Sequence, residues 1–177
     1  MSRKPFDPAA VLAGLAGGPG CGDFEMRIDR AGSWHYRGSP IGRLPLVKLF
    51  ATVLHRAPDG AYWLVTPAEQ GRVTVEDVPF VVVELRREGE GSDQALDLRT
   101  NIDDWVQLGR NTGWRLGDDG EAQVPYVEVR SGLEARVGRN TFYELADLAT
   151  ADGPGDTLGV WSRGRFFTLG ETAVDAA

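Results

Sequence analysis

The feature that most constrains the fold is a pattern met near both ends of the chain. In each place a strand, a turn, a second strand, a helix, another turn and a further strand follow in order, over residues 24–65 and again over 126–161. Phe24 to Ile28 and Ser33 to Arg37 alternate apolar and polar residues, as half-buried strands do, and Arg30-Ala31-Gly32 joins them as a hairpin. From Leu44 to His55, Leu46, Val47, Phe50, Val53 and Leu54 make one helical stripe, closed by His55 and Arg56, where positive charge suits the helix dipole. Pro58-Asp59-Gly60 turns the chain into a strand at Tyr62–Val65. At the other end, Tyr126–Arg130 and Leu133–Val137 pair around Ser131-Gly132. Asn140 caps a short helix, and Leu158–Trp161 pairs with Phe166–Leu169. Either the chain is internally duplicated or it contains two generic hairpin–helix units.

The middle adds more strands. Val73–Val75 is short, Phe80 to Leu85 is a continuous apolar run suited to a central position, and Ala95 to Arg99 alternates. Shorter strands are read at Trp105–Leu108 and Trp114–Leu116. The expected fold is α+β: two small lobes of mostly antiparallel strands with one helix each. Residues 1–22 form an N-terminal helix and glycine-rich linker, 23–94 the first lobe, and 95–177 the second, β-rich lobe. A chain of 177 residues can bury a core without staples, and its single cysteine excludes a disulfide framework and any multi-cysteine metal site.

Charge is uneven. The net charge is −7, yet Arg27 to Arg56 holds six basic residues against Asp29 alone, and Glu88 to Glu121 holds nine acids against Arg99, Arg110 and Arg115. An acidic chain is a poor partner for duplex nucleic acid, which requires many phosphate contacts. The basic window either serves a small anion or an acidic partner, or is offset by the acidic one. The start, Met1-Ser2-Arg3-Lys4 followed by Ala9 to Ala16, resembles a signal peptide. Pro5, Asp7 and Pro8 interrupt it, however, and it reads better as a short surface helix. No run is long enough to cross a membrane, so the expectation is a cytoplasmic protein with Cys21 reduced.

No catalytic constellation stands out. His35 and His55 have no second histidine at ligand spacing, and Ser39 lies in Gly-Ser-Pro rather than a nucleophile elbow. Gly18-Pro19-Gly20-Cys21-Gly22 follows a helix and opens a strand, the reverse of a phosphate loop. Neighbouring acids in Glu76-Asp77 and Asp103-Asp104 point to opposite strand faces, which excludes a ready carboxylate dyad. An enzyme would need His35 within reach of Asp77 or Asp104. No cofactor and no metal are expected. Arginines paired with aromatics are more suggestive. Arg37, Arg43, Arg130 and Arg136 lie near Trp34, Tyr126 and Trp161, joining charged forks to stacking faces as a nucleotide-like ligand would need. Lobes packed together would bring them to a shared cleft. The bland alternative makes the tryptophans core and lets the arginines reach past them to solvent.

The ordered set Gly38-Ser39-Pro40-Ile41-Gly42-Arg43, Leu46 to Phe50, Leu64-Val65-Thr66-Pro67, Val75 to Phe80, Thr100-Asn101-Ile102-Asp103-Asp104, Tyr126 to Arg130, Gly132 to Arg136, Phe142 to Leu145 and Gly159 to Ser162 resembles the bacterial family known as domain of unknown function 1285. The resemblance runs from about Cys21 to Leu169. It implies a two-lobed α+β protein with a duplicated core and a C-terminal lobe like a pleckstrin-homology domain. It also implies a nucleotide-like ligand between the lobes and a signalling role, with Asn101 and Asp104 joining the arginine and aromatic residues at the site. Where a His-Pro-Leu-Arg-like segment is expected, this chain has Asn111-Thr112-Gly113-Trp114-Arg115, which bears on ligand preference. The expected function is a binding protein for a small anionic ligand. The alternative is a protein-interaction adaptor offering a strand edge to a partner.

Overall fold

The computed structural model describes residues 22–172, so the expected N-terminal helix and Cys21 lie outside the described residues. Strands dominate: β1 (Gly22–Ile28), β2 (Trp34–Tyr36), β3 (Ser39–Pro40), β4 (Leu54–Arg56), β5 (Tyr62–Val65), β6 (Gln70–Val75), β7 (Phe80–Glu88), β8 (Ala95–Thr100), β9 (Trp105–Gln107), β10 (Trp114–Asp118), β11 (Gln123–Arg130), β12 (Leu133–Val137), β13 (Thr157–Ser162) and β14 (Arg165–Glu171). Helix α1 (Leu44–Thr52) follows β3, and helix α2 (Arg139–Asp147) follows β12.

Two six-stranded sheets form, in the orders β3-β2-β1-β6-β5-β4 and β10-β11-β12-β7-β8-β9, and β13 and β14 make a separate hairpin. Each large sheet is two three-stranded meanders joined by a central parallel pair, β1 with β6 and β7 with β12. Adding six to each strand number of the first sheet gives the second sheet, so the core is duplicated, with one helix accompanying each sheet. The register differs from the expected one. The repeating blocks are β1–β6 and β7–β12, not 24–65 and 126–161. The sequence pattern matched two hairpin–helix runs, but in the first sheet the strands after the helix rejoin the sheet, whereas β13 and β14 stand apart.

The chain divides into two compact units, one holding the described residues through Pro79 together with Ser131–Leu133, and the other the remainder. This division falls at Pro79–Phe80 rather than at 94–95. The segment read as the lobe boundary is instead the β7–β8 connection, with a single 3-10 turn at Gly91–Asp93.

In the first unit Ile28, Trp34, Leu54, Leu64 and Val73 are buried, with Val47 and Ala51 of α1. Pro45 sits in the first turn of α1, where its fixed φ costs nothing. The helix stops at Thr52, three residues before the expected end. Leu54–Arg56 pairs instead with Tyr62–Leu64 across the Asp59-Gly60 turn, where Ala61 N–H donates to Asp59 Oδ1 at 3.0 Å and Gly60 takes φ 87°. His55 therefore lies in a strand opposite Trp63, and the helix-dipole argument for it lapses.

In the second unit the apolar run predicted to be central is central. Phe80 and Val82 of β7 are fully buried, as are Leu96, Leu98 and Ala135. Ser131 (φ 46°) and Gly132 (φ 77°), which group with the first unit, make the tight turn into β12. Gly138, not Asn140, is the residue before the first turn of α2, and its carbonyl accepts from Phe142 N–H at 2.8 Å. Asn140 lies inside the helix. The pleckstrin-homology likeness expected of this lobe is not part of what the sheet order shows.

Candidate functional site

Between the third and fourth strands of its repeat, where the first unit has α1, the second unit has only the loop 108–113. The loop is held by hydrogen bonds to its own backbone and by arginines from the β13–β14 hairpin. Thr112 Oγ1 donates to Gln107 O at 2.9 Å and accepts from Gly109 N–H at 3.0 Å. Arg165 Nη1 gathers the carbonyls of Gly109, Arg110 and Thr112 at 3.1, 3.0 and 2.7 Å. Arg163 Nη1 donates to Leu96 O and Leu108 O at 3.1 and 3.0 Å, and its Nη2 to Asp97 at 2.7 Å. Buried Ser162 ties the same strands together, accepting from Leu96 N–H at 3.0 Å and donating to Leu108 O at 2.7 Å. Arg163 (φ 50°) and Gly164 (φ 73°) are the two central residues of the β13–β14 hairpin turn, which requires left-handed backbone at both.

This loop walls an open cavity of about 560 Å³, lined by Arg110, Arg130, Arg163, Asn111, Thr112 and Glu128, among others. Three guanidinium groups face one carboxylate there. Two of the three are anchored, Arg163 to Asp97 and Arg130 to Asp104, with Arg130 also over the Phe80 ring at 5.6 Å. Arg110 is exposed and makes no ion pair among the described residues. The geometry suits an anion at Arg110, a cation free to turn toward it, on a wall whose other two arginines are each paired with an aspartate.

Of the expected site residues, Trp34, Arg37 and Arg43 fall in the first unit, and Asn101, Asp104, Tyr126, Arg130, Arg136 and Trp161 in the second. Arg130 and Asp104 pair, and Arg130 lines the cavity. Trp34 and Tyr126 are core residues, each 2% exposed, with Trp34 packed on Phe50 and Arg115 over the Tyr126 ring at 4.0 Å. Their faces are taken up by the protein. Trp161 is half-buried against Phe166 and donates its indole N–H to Asp152 at 3.1 Å. Arg37 pairs with Glu25 at 2.8 Å, Arg136 with Asp119 at 3.4 Å, and Arg43 lies exposed before α1. Asn101 orders the β8–β9 turn, where its Oδ1 accepts from Val81 N–H at 3.1 Å.

Asp103 and Asp104 have protein cations for partners, Arg99 and Arg130. Among the described residues no group of three or more His, Cys, Asp or Glu could hold a metal ion. His35 bonds through Nε2 to Asp29 at 2.8 Å, not to Asp77 or Asp104. No described helix is long and apolar enough to cross a membrane. Sequence reading missed Arg110, Arg163 and Arg165. The available signal was a basic residue between Gly109 and Gly113 inside an otherwise acidic window.

Comparison with known proteins places this architecture. Residues 18–78 match the family described as domain of unknown function (DUF1285), N-terminal domain, and residues 79–169 match its C-terminal domain. This chain belongs to the DUF1285 family. It is similar to the crystal structure of a DUF1285 family protein from Silicibacter pomeroyi DSS-3, at 35% identity over 94% of this chain and 96% of that one, with a TM-score of 0.79. It is also similar to a DUF1285 family protein from Shewanella baltica OS155, at 31% identity over 69% of this chain and 90% of that one, with a TM-score of 0.55. A search among curated proteins finds no match. The two family segments meet at residues 78–79, beside the division seen in the structure. Of the Asn111–Arg115 segment that the resemblance singled out, Asn111, Thr112 and Gly113 line the arginine cavity, and Trp114 and Arg115 are not among its lining residues.

Proposed function

We propose that this protein is a binding module for a small phosphate-bearing ligand, of nucleotide-like size, held in the second unit's cavity. The observation that carries the reading is Arg110, an unpaired cation on a cavity with two anchored arginines and a loop fixed by Arg165. Fixed donors bind an anion without the ordering cost that flexible ones incur. The cavity volume falls within the range of small-molecule sites. Strands and loop supply no nucleophile–base pair, so the role that fits is recognition, in a signalling context, rather than turnover. Specificity within the phosphate class rests on Asn111 and Glu128, which offer an amide and an acceptor to the rest of the ligand.

A thermal-shift screen of the full chain against pyrophosphate, AMP and signalling dinucleotides tests this directly. A ligand that binds only the folded state raises the melting temperature. At least one phosphate compound is expected to do so at millimolar concentration while adenosine does not. No shift from any of them overturns the proposal.

A further inference from the structure

The first unit has its own cavity, of about 510 Å³, at the equivalent connection of its repeat, under α1. Its chemistry is the opposite of the arginine site. Leu46 and Phe50 of α1 and Val53 just after it wall it, with Met26 and Leu64 from the sheet, and Phe24 and Tyr36 also line it. The charged groups on its lining are Asp23, Glu25, Glu69 and Arg37. Arg37 is neutralised by Glu25 at 2.8 Å. Asp23 and Glu69 make no ion pair among the described residues.

The rim is built rather than incidental. β1 bulges between Asp23 and Met26 against β6, which re-aims the residues between them. Glu25 at the bulge and Arg37 after β2 both adopt left-handed backbone, φ 52° and 48°, and Arg37 N–H donates to Glu25 O at 2.9 Å. Arg37 and Gly38 (φ 80°) form the β2–β3 hairpin turn, and this contact fixes that turn against the bulge at the cavity mouth. Glu69 is set by a turn in which Thr66 Oγ1 accepts from its N–H at 3.1 Å and donates to its carbonyl at 2.9 Å.

We propose that this cavity binds a small organic cation with an apolar body, an alkyl- or arylammonium compound. The apolar lining takes the body. Asp23 and Glu69 attract the ammonium group, and the rings of Phe24, Tyr36 and Phe50, each with one face already against Gly71, Arg37 and Trp34 respectively, add apolar surface around it. A carboxylate ligand of the same length would meet two unneutralised acids and an arginine already engaged. The site is independent of the anion cavity and draws on different residues.

Displacement of the fluorescent apolar probe N-phenyl-1-naphthylamine from the full chain, by decyltrimethylammonium and by decanoate, tests the proposal. The ammonium compound is expected to displace the probe at about tenfold lower concentration than decanoate, a preference worth one decade in Kd. Glu69→Gln is expected to narrow that gap. Leu46→Trp is expected to fill the cavity and abolish probe uptake while the circular-dichroism melt persists. AMP at millimolar concentration is expected to leave displacement of the probe unchanged, which separates this site from the anion site. Failure of decyltrimethylammonium to displace the probe, equal or stronger displacement by decanoate, or an unchanged preference in Glu69→Gln would each overturn it.

Discussion

Asp29 shows how one side chain can organise a turn and also report on pH. Its Oδ1 accepts from Ala31 N–H at 3.0 Å and from Ser33 N–H at 2.9 Å, and its Oδ2 meets His35 Nε2 at 2.8 Å. Burial pushes its pKa up, but the His35 and backbone hydrogen bonds together with the nearby His35 charge outweigh that and hold it below the ordinary carboxylate value. A folded-state pKa below the unfolded one means that the unfolded chain takes up the proton first as pH falls. The stabilisation is therefore full above the unfolded pKa and is lost as pH falls through the folded one. Asp29→Ala is expected to cost about 1–2 kcal/mol at neutral pH, the loss of a small hydrogen-bond cluster. In urea melts the gap from the parent protein should narrow as pH falls below the ordinary carboxylate value and through the lowered one. A gap that stayed constant across that range would show that ionised Asp29 is not what holds the turn. At this scale the sequence was only partly readable. Asp29 and Ser33 sit where turn chemistry puts them, but Trp34 and Tyr126 were read as stacking faces. Composition cannot say which face of an aromatic strand residue turns inward. Arg110, Arg163 and Arg165 were passed over because their roles depend on strands far apart in sequence.

Elements were more legible, and their ends less so. Alternation located β1, β2 and β8, because a half-buried strand repeats every two residues whatever its partners, and turn residues bounding apolar runs located β5, β11, β12, β13 and β14. The end of α1 was misjudged, since Val53 and Leu54 continue an apolar stripe equally well in a helix or a strand, and pairing with β5 decided the matter. The start of α2 was misjudged for a different reason. Asn140 has the chemistry of a cap, but the chain must leave β12 at Gly138, where its N–H donates to Val82 O at 3.0 Å. A Cβ there would lie 2.6 Å from that same carbonyl oxygen, which belongs to the centre of the sheet and cannot yield cheaply. Gly138→Ala is therefore expected to destabilise the protein by about 2 kcal/mol, in the range of overpacked sites. A denaturant midpoint within error of the parent would show that the β12–α2 junction relaxes freely. The same change at exposed Asn140 should be nearly neutral.

Across the whole molecule, one strand order is used twice and carries two different chemistries. In both repeats a cavity opens at the connection from the third strand to the fourth. An apolar helix makes that connection in the first unit, and a polar loop stapled by arginine makes it in the second. The net charge of −7 hides this division, since the first cavity has an excess of carboxylates and the second an excess of guanidinium groups. Duplication was legible in the sequence, but its register was not, because strands paired in parallel at a sheet's centre leave no local signature. The central claim is that Arg110 and its loop bind a phosphate-bearing anion. Isothermal titration of the full chain with AMP at low and moderate salt, repeated on Arg110→Ala, tests it most directly. The account predicts saturable binding that weakens as salt rises, since the attraction is between partly exposed charges, and a loss of about tenfold or more in Arg110→Ala, the loss expected for one charge-assisted contact. AMP binding that is unchanged in Arg110→Ala would contradict it.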